Sequence, residues 1–112
     1  MIKALVVEDD PLIRMAACKT FAQAGFQVFE AADGEEALTV LRENPSIGFV
    51  FTDISMPRMD GITMLARARE LRPGLKTLVT SGHSEVPLEE AFLPKPYRLA
   101  ALRDMAIRVL ER

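Results

Sequence analysis

The sequence has a single cysteine, Cys18, and no long apolar run. One cysteine cannot form a disulfide within the chain, and such sparing use is typical of a reducing compartment. No apolar run approaches the roughly 18 residues that span a bilayer. Because residues 1–3 lead directly into a strand pattern, we also expect no cleavable signal. These features predict a cytoplasmic protein that does not associate with a membrane.

The chain also lacks an excess of basic residues, since 14 Lys and Arg stand against 16 Asp and Glu, a net charge of −2. Nucleic-acid binding requires a concentrated basic surface that releases counterions from phosphates, so we expect no nucleic-acid partner. With 49% hydrophobic residues, the 112 residues are enough to bury one core without disulfides. We therefore assign residues 1–112 to one domain, without repeats or linkers.

Short apolar runs alternate with stretches of helical periodicity. The runs at residues 2–7, 27–30, 49–52, 77–79 and 92–93 predict five strands. Asp10, Asp33 and Asp60 precede three of four predicted helices. Five strands alternating with helices predict an α/β fold with a parallel sheet covered on both faces. The predicted inward faces are Leu12, Ile13, Ala16, Ala17, Thr20, Phe21 and Ala24; Ala37, Leu38 and Leu41; Met64, Leu65, Ala68 and Leu71; and Leu99, Leu102, Met105, Ala106, Val109 and Leu110.

The alternation falters between the fourth and fifth strands. A helix with two connecting loops does not fit into residues 83–91, which Pro87 also interrupts. We therefore expect a fourth crossover helix to be short or absent. The only histidine, His83, lies in this interval and is expected to be an exposed loop residue.

Residues suited to phosphoryl chemistry follow four of the predicted strands. Glu8 and Asp9 follow the first, Asp53 the third, Thr80 the fourth and Lys95 the fifth. Parallel strands bring their carboxyl ends to one edge, where ligands of open α/β sheets bind. Two like charges about 4 Å apart repel by roughly 4 kcal/mol at an effective dielectric near 20, so a cation should lie among the acids. Oxygen ligands of this kind suit Mg²⁺.

A complete set of groups for phosphoryl transfer is present if these residues meet. A carboxylate can attack phosphorus and form an acyl phosphate. The transfer itself needs positioning and neutralisation of the phosphoryl oxygens. Mg²⁺, the Lys95 ammonium and the Thr80 hydroxyl can each bind one phosphoryl oxygen.

Four motifs occur in a characteristic order: Val6-Val7-Glu8-Asp9-Asp10, Asp53 with Met56-Pro57-Arg58-Met59-Asp60-Gly61, Thr80-Ser81-Gly82, and Lys95-Pro96. Over essentially its full length the sequence resembles the receiver domain of two-component response regulators. The resemblance implies a flavodoxin-like fold with strand order 2-1-3-4-5, an order for which receiver proteins are the standard example.

The resemblance also implies roles for individual residues. Asp53 corresponds to the phosphoacceptor, and Glu8 and Asp9 to the acidic pocket. Asp9, Asp53 and the backbone carbonyl of Ser55 correspond to the ligands of Mg²⁺. The implied partner is a sensor histidine kinase or a phosphotransfer protein, which supplies the phosphoryl group.

The remaining implied roles concern switching. Thr80 would sense the phosphoryl group and Lys95 would pair with it, while Phe92 occupies the aromatic switch position. The Lys95-Pro96 peptide bond is expected to be cis. The chain is expected to act as a stand-alone signalling domain, not an enzyme, on a separate downstream protein of unknown identity.

Three alternatives remain at this stage. The chain could be a degenerate receiver-like binding module that is never phosphorylated, as the short interval 83–91 suggests. It could be a phosphatase of the haloacid dehalogenase type, but the position of that family's second Asp holds Ser55. A flavin-binding protein is disfavoured because the Glu8-Asp9-Asp10 turn would repel the cofactor's phosphate.

Overall fold

A five-stranded parallel sheet forms the centre of the computed structural model, which describes residues 1–82, 86–87 and 89–112. Across the sheet lie, in order, the strands of residues 27–31, 3–7, 49–53, 76–81 and 92–94, so the predicted flavodoxin-like order 2-1-3-4-5 is confirmed. The strands are β1 (Lys3–Val7), β2 (Gln27–Ala31), β3 (Phe49–Asp53), β4 (Lys76–Ser81) and β5 (Phe92–Pro94), and the helices are α1 (Pro11–Gln23), α2 (Gly34–Glu43), α3 (Gly61–Leu71) and α4 (Leu99–Leu110).

Helices cover the sheet on both faces, and each face has its own core. Successive residues of β1 point to opposite sides: Leu5 packs with α2 and α3, whereas Val6 packs with α1 and α4. The central strands are therefore buried on both sides, which explains their continuous apolar runs. The edge strand β2 is more exposed, as its mixed sequence predicts.

Aspartates begin three of the helices, as predicted. Asp10 accepts a hydrogen bond from the N–H of Leu12 at 2.9 Å, and Asp33 accepts one from Glu36 at 2.8 Å. Asp60 accepts from the N–H of Thr63 at 2.9 Å. These bonds satisfy backbone donors that the first turn of a helix leaves without partners.

Three leucines at helix ends differ from the prediction. Leu12, Leu71 and Leu99 were assigned to inward faces, yet they are 72%, 44% and 46% exposed. Each lies in the first or last turn of its helix, beyond the part that packs on the sheet. Periodicity identifies the inward stripe but not the point at which the sheet ends beneath it. Near the helix centres, Ala17, Leu38, Leu65 and Leu102 are buried as expected.

The connection between β4 and β5 is described in part. Residues 86–87 and 89–91 contain no helix, and His83 lies outside the described residues. The guanidinium of Arg69 on α3 holds this connection, because it contacts the Glu90 carboxylate and donates to the Thr77 hydroxyl at 3.0 Å. No helix among the described residues is long and apolar enough to cross a membrane.

Candidate functional site

The sheet brings the predicted site residues to one edge. Asp53 ends β3, and its register partner on β4 is Thr80. Val7, which precedes Glu8, pairs with Thr52, which precedes Asp53. The carboxyl ends of the three central strands therefore carry the acids and the hydroxyl side by side.

Three carboxylates converge at this edge. Glu8, Asp9 and Asp53 each offer an oxygen, and these oxygens lie within 4.8 Å of one another. Glu8 and Asp53 are buried, whereas Asp9 is exposed. Hard carboxylate oxygens are the ligands that Mg²⁺ takes, and the exposed side leaves room for the waters that this ion keeps. The donor set therefore fits a small divalent cation.

The Lys95 ammonium lies between two of the acids. Its Nζ donates to Oε1 of Glu8 at 2.8 Å and to Oδ2 of Asp53 at 2.9 Å. Burial alone would lower the pKa of Lys95, but the hydrogen bonds and charges of Glu8 and Asp53 outweigh it and raise this pKa. Lys95 is therefore a fixed cation that offsets the repulsion between the two carboxylates.

The Glu8 carboxylate has a raised pKa. Burial raises the pKa of Glu8, and the hydrogen bond from Lys95 acts in the opposite direction. Its other oxygen, Oε2, accepts the backbone N–H of Asp10 at 3.2 Å. Both carboxylate oxygens of Glu8 therefore accept a hydrogen bond.

The loop after β3 wraps closely around Asp53. The N–H of Ser55 donates to Oδ1 of Asp53 at 3.1 Å, and the N–H of Gly61 donates to the carbonyl of Ile54 at 2.8 Å. A Cβ atom at Gly61 would lie 2.2 Å from the carbonyl oxygen of Asp53. Only glycine therefore allows α3 to begin this close to the end of β3.

Thr80 contributes a buried hydroxyl beside Asp53. Its Oγ1 is buried and has no hydrogen-bond partner within the described part of the chain. A buried polar atom of this kind is costly unless another group binds it. Beside Asp53, this donor is available to an oxygen of a bound group.

The fifth strand and the turn after it position Lys95. The Lys95-Pro96 bond is cis, as expected. The ring of Tyr97 packs edge-on against Phe51, with centroids 5.8 Å apart. Phe92 is half-buried, pairs with Val79 in the sheet and packs on the α2/α3 core. Phe92 thus lies one register position from Thr80 and not among the carboxylates.

Two contributors were absent from the sequence prediction. Tyr97 has a buried hydroxyl without a partner among the described residues, and burial raises its pKa to about 12. Arg14 donates through Nη1 to the backbone carbonyl of Glu8 at 2.8 Å. Helical periodicity marks Arg14 only as polar, so the sequence carried no signal for a contact with a backbone atom.

The comparison with known families agrees with this geometry. A family model described as "Response regulator receiver domain" matches residues 4–106. The chain therefore belongs to the response regulator receiver domain family. Domains of this family act in two-component phosphorelay signalling, bind Mg²⁺ at an acidic pocket and interact with histidine kinases or phosphotransfer proteins.

Individual relatives differ in how much of them the chain spans. It is 34% identical to the response regulator receiver protein CpdR of Brucella abortus and covers 91% of each chain. It is 35% identical to the sensor kinase CckA of the same organism over 96% of this chain, but it spans 12% of that protein. A CheX-CheY-BeF3-Mg complex from Borrelia burgdorferi gives a TM-score of 0.89 at 28% identity, covering 97% of this chain and 89% of that one.

Proposed function

We propose that Asp53 accepts a phosphoryl group from a phosphohistidine on a sensor histidine kinase or a phosphotransfer protein. The observation that carries the proposal is the arrangement around Asp53. Its Oδ2 lies 2.9 Å from the Lys95 ammonium, and its strand neighbour Thr80 has a buried hydroxyl without a partner among the described residues. A nucleophile, a cation and a free donor for a phosphoryl oxygen are therefore adjacent.

The transfer exchanges one bond to phosphorus for another. A carboxylate oxygen of Asp53 forms the new P–O bond while the P–N bond of the phosphohistidine breaks, and the imidazole leaves with the electron pair and takes up a proton. The product is an acyl phosphate on Asp53. The Lys95 ammonium then pairs with one phosphoryl oxygen, and the Thr80 hydroxyl donates to another.

The acids of the site provide the proposed Mg²⁺ ligands. Asp9, Asp53 and the carbonyl of Ser55 would bind the ion directly, and Glu8 completes the acidic pocket. When bound, Mg²⁺ neutralises charge on the phosphoryl oxygens. The hydrogen bond from the Ser55 N–H to Asp53 holds the loop against the Asp53 carboxylate, so the Ser55 carbonyl stays near the acids.

The response would pass through Thr80 and Phe92, whose strand partner is Val79, the residue before Thr80. We propose that residues 1–112 form one receiver domain, cytoplasmic and without a nucleic-acid or membrane partner, that acts on a downstream protein. Receiver domains are signalling domains and generally not enzymes. Without a carboxylate at Ser55, rapid hydrolysis by the phosphatase route is not expected.

Intact-mass measurement tests the proposal. The protein is incubated with acetyl phosphate and Mg²⁺, and the wild type is expected to gain one phosphoryl group. Asp53→Asn should gain none, whereas Asp104→Asn, an exposed acid on α4, should behave as the wild type. Wild-type protein without an adduct, or Asp53→Asn with one, would contradict the proposal.

A second candidate is a binding module that keeps the fold but is not phosphorylated. The observation in its favour is the connection between β4 and β5, whose described residues 86–87 and 89–91 contain no helix. The same mass measurement separates the two, since a binding module gains no phosphoryl group even with excess donor.

A further inference from the structure

The guanidinium of Arg14 joins three segments near the acidic pocket. Its Nη1 donates to the carbonyl of Glu8 at 2.8 Å, and its Nε donates to Oε1 of Glu30 at 2.9 Å. Arg14 lies on α1 and Glu30 on β2, so the guanidinium connects a helix and an edge strand to the turn after β1. The Arg14 side chain is 19% exposed, which limits competition from water for these bonds.

The carbonyl that Arg14 binds belongs to the peptide unit between Glu8 and Asp9. The other polar group of Glu8, its N–H, donates to the carbonyl of Ala31 at 3.1 Å. Because both the N–H and the carbonyl of Glu8 are hydrogen-bonded, the Glu8 backbone is held in one orientation. The orientation of the peptide between Glu8 and Asp9 then sets the direction in which the Asp9 side chain projects. Arg14 therefore holds the backbone that joins the two acids, through a bond to a peptide oxygen and not to a carboxylate.

We propose that Arg14 is a positioning residue for Mg²⁺, because it fixes the Glu8–Asp9 peptide so that the Asp9 carboxylate reaches the ion together with Asp53 while Glu8 completes the pocket. This inference rests on the proposed function, since it concerns the same metal pocket. Groups that orient metal ligands typically change metal affinity by about 10- to 100-fold when they are removed.

The charge of Arg14 acts in the opposite direction from its hydrogen bond. A cation near the pocket repels Mg²⁺, so loss of the charge alone would tighten metal binding. Glu30 pairs with this charge, and its side chain is 60% exposed, so solvent screens the repulsion as well. The effect of the Arg14 bond to the Glu8 carbonyl should therefore outweigh the repulsion between the Arg14 charge and Mg²⁺, so removal of Arg14 should weaken Mg²⁺ binding.

The test compares Mg²⁺ affinities of the whole chain, measured from backbone amide shifts in an NMR titration with MgCl₂. Arg14→Met keeps an apolar stem but removes every donor, and it should raise Kd by about 10-fold or more. Arg14→Lys keeps the charge but has a single donating nitrogen, so its Kd should fall between those of Arg14→Met and the wild type. Glu30→Gln keeps the bond to Glu8 and should stay within about twofold.

A second measurement separates positioning from general stability. With acetyl phosphate as donor, Arg14→Met should need more Mg²⁺ for half-maximal phosphorylation but reach a wild-type rate, within about twofold, at saturating Mg²⁺. A purely structural role would lower the melting temperature and leave Kd unchanged. Arg14→Met and Arg14→Lys that bind Mg²⁺ as well as the wild type, or more tightly, would overturn the inference.

Failure of the inference differs from failure of the proposed function. If the wild type binds Mg²⁺ but gains no phosphoryl group, the phosphoacceptor proposal fails, and the Kd comparison still decides the role of Arg14. If the wild type is phosphorylated and the Arg14 variants bind Mg²⁺ normally, only the positioning role is lost. A wild type without Mg²⁺ affinity overturns both.

Discussion

Lys95 and Asp53 are 42 positions apart in the sequence, yet the ammonium Nζ lies 2.9 Å from Oδ2 of the carboxylate. The same ammonium lies 2.8 Å from Oε1 of Glu8. One fixed cation thus compensates two buried acids, which allows the pocket to fold before any divalent ion binds. The positive charge of Lys95 opposes the binding of Mg²⁺, and its ammonium can pair with a phosphoryl oxygen.

Removal of this cation should destabilise the fold. Lys95→Met leaves the buried carboxylates of Glu8 and Asp53 without the cation that neutralises them, which should lower the free energy of unfolding by about 3 kcal/mol. Mg²⁺ should bind this variant more tightly than the wild type, because the competing ammonium is gone. Urea unfolding with and without MgCl₂ measures both effects. Lys19→Met, at an exposed position of α1, serves as the control and should change neither value.

Mg²⁺ should stabilise the wild-type protein. An ion that binds only the folded state adds about 2.7 kcal/mol at a concentration one hundred times its Kd. Thermal unfolding should therefore shift upward with MgCl₂ and return to its original midpoint after EDTA is added. Asp9→Asn should lose most of this shift, since it removes the charge of the exposed carboxylate that we propose binds the ion. An equal shift in wild type and Asp9→Asn would show that Mg²⁺ binds elsewhere.

The close approach of α3 to Asp53 predicts a strict requirement for glycine. In Gly61→Ala the new Cβ would meet the Asp53 carbonyl oxygen at 2.2 Å, so the backbone must shift. We expect a loss of about 1–3 kcal/mol in unfolding free energy, together with slower phosphorylation. Gly48→Ala is the matched control, because nothing lies within 4 Å of its Cβ position. Similar stabilities for the two variants would contradict this account.

The cap of α3 should depend on pH. The N–H of Thr63 is the main cause that lowers the pKa of Asp60. A lowered pKa in the folded state means that the ionised cap stabilises the protein above the unfolded pKa, and this contribution is lost as pH falls through the folded pKa. Asp60→Ala should therefore cost about 1 kcal/mol near neutral pH and less below about pH 4.

Asp60→Asn provides the control for this effect. Asparagine caps helices about as well as aspartate but carries no charge, so its stability should follow the wild type near neutral pH. Urea unfolding at several pH values compares the three proteins. A cost of Asp60→Ala that stays constant down to strongly acid pH would contradict the role of the ionised carboxylate.

Local sequence signals were sufficient for most of the fold. The apolar runs, the capping aspartates and the turn residues act over a few positions, and these gave the five strands and four helices. Because parallel strands end at one edge, the meeting of Glu8, Asp53 and Lys95 also followed from strand positions. The strand order came from the resemblance and not from the patterns alone.

The features that escaped prediction depend on tertiary packing. Leu12 has an apolar side chain at helical spacing, but the helix extends past the sheet there and leaves it 72% exposed. The Arg14 bond to the Glu8 carbonyl joins a side chain to a backbone atom, for which residue types give no signal. The packing of Tyr97 on Phe51 likewise depends on the turn after β5.

The most direct test of the central claim is to identify the residue that carries the phosphoryl group. After treatment with acetyl phosphate and Mg²⁺, borohydride reduces an aspartyl phosphate to homoserine, which peptide sequencing by mass spectrometry locates. We predict homoserine at position 53, and none when Mg²⁺ is replaced by EDTA. Homoserine at position 9, or no reduced residue in a sample whose intact mass includes a phosphoryl group, would contradict the assignment of Asp53.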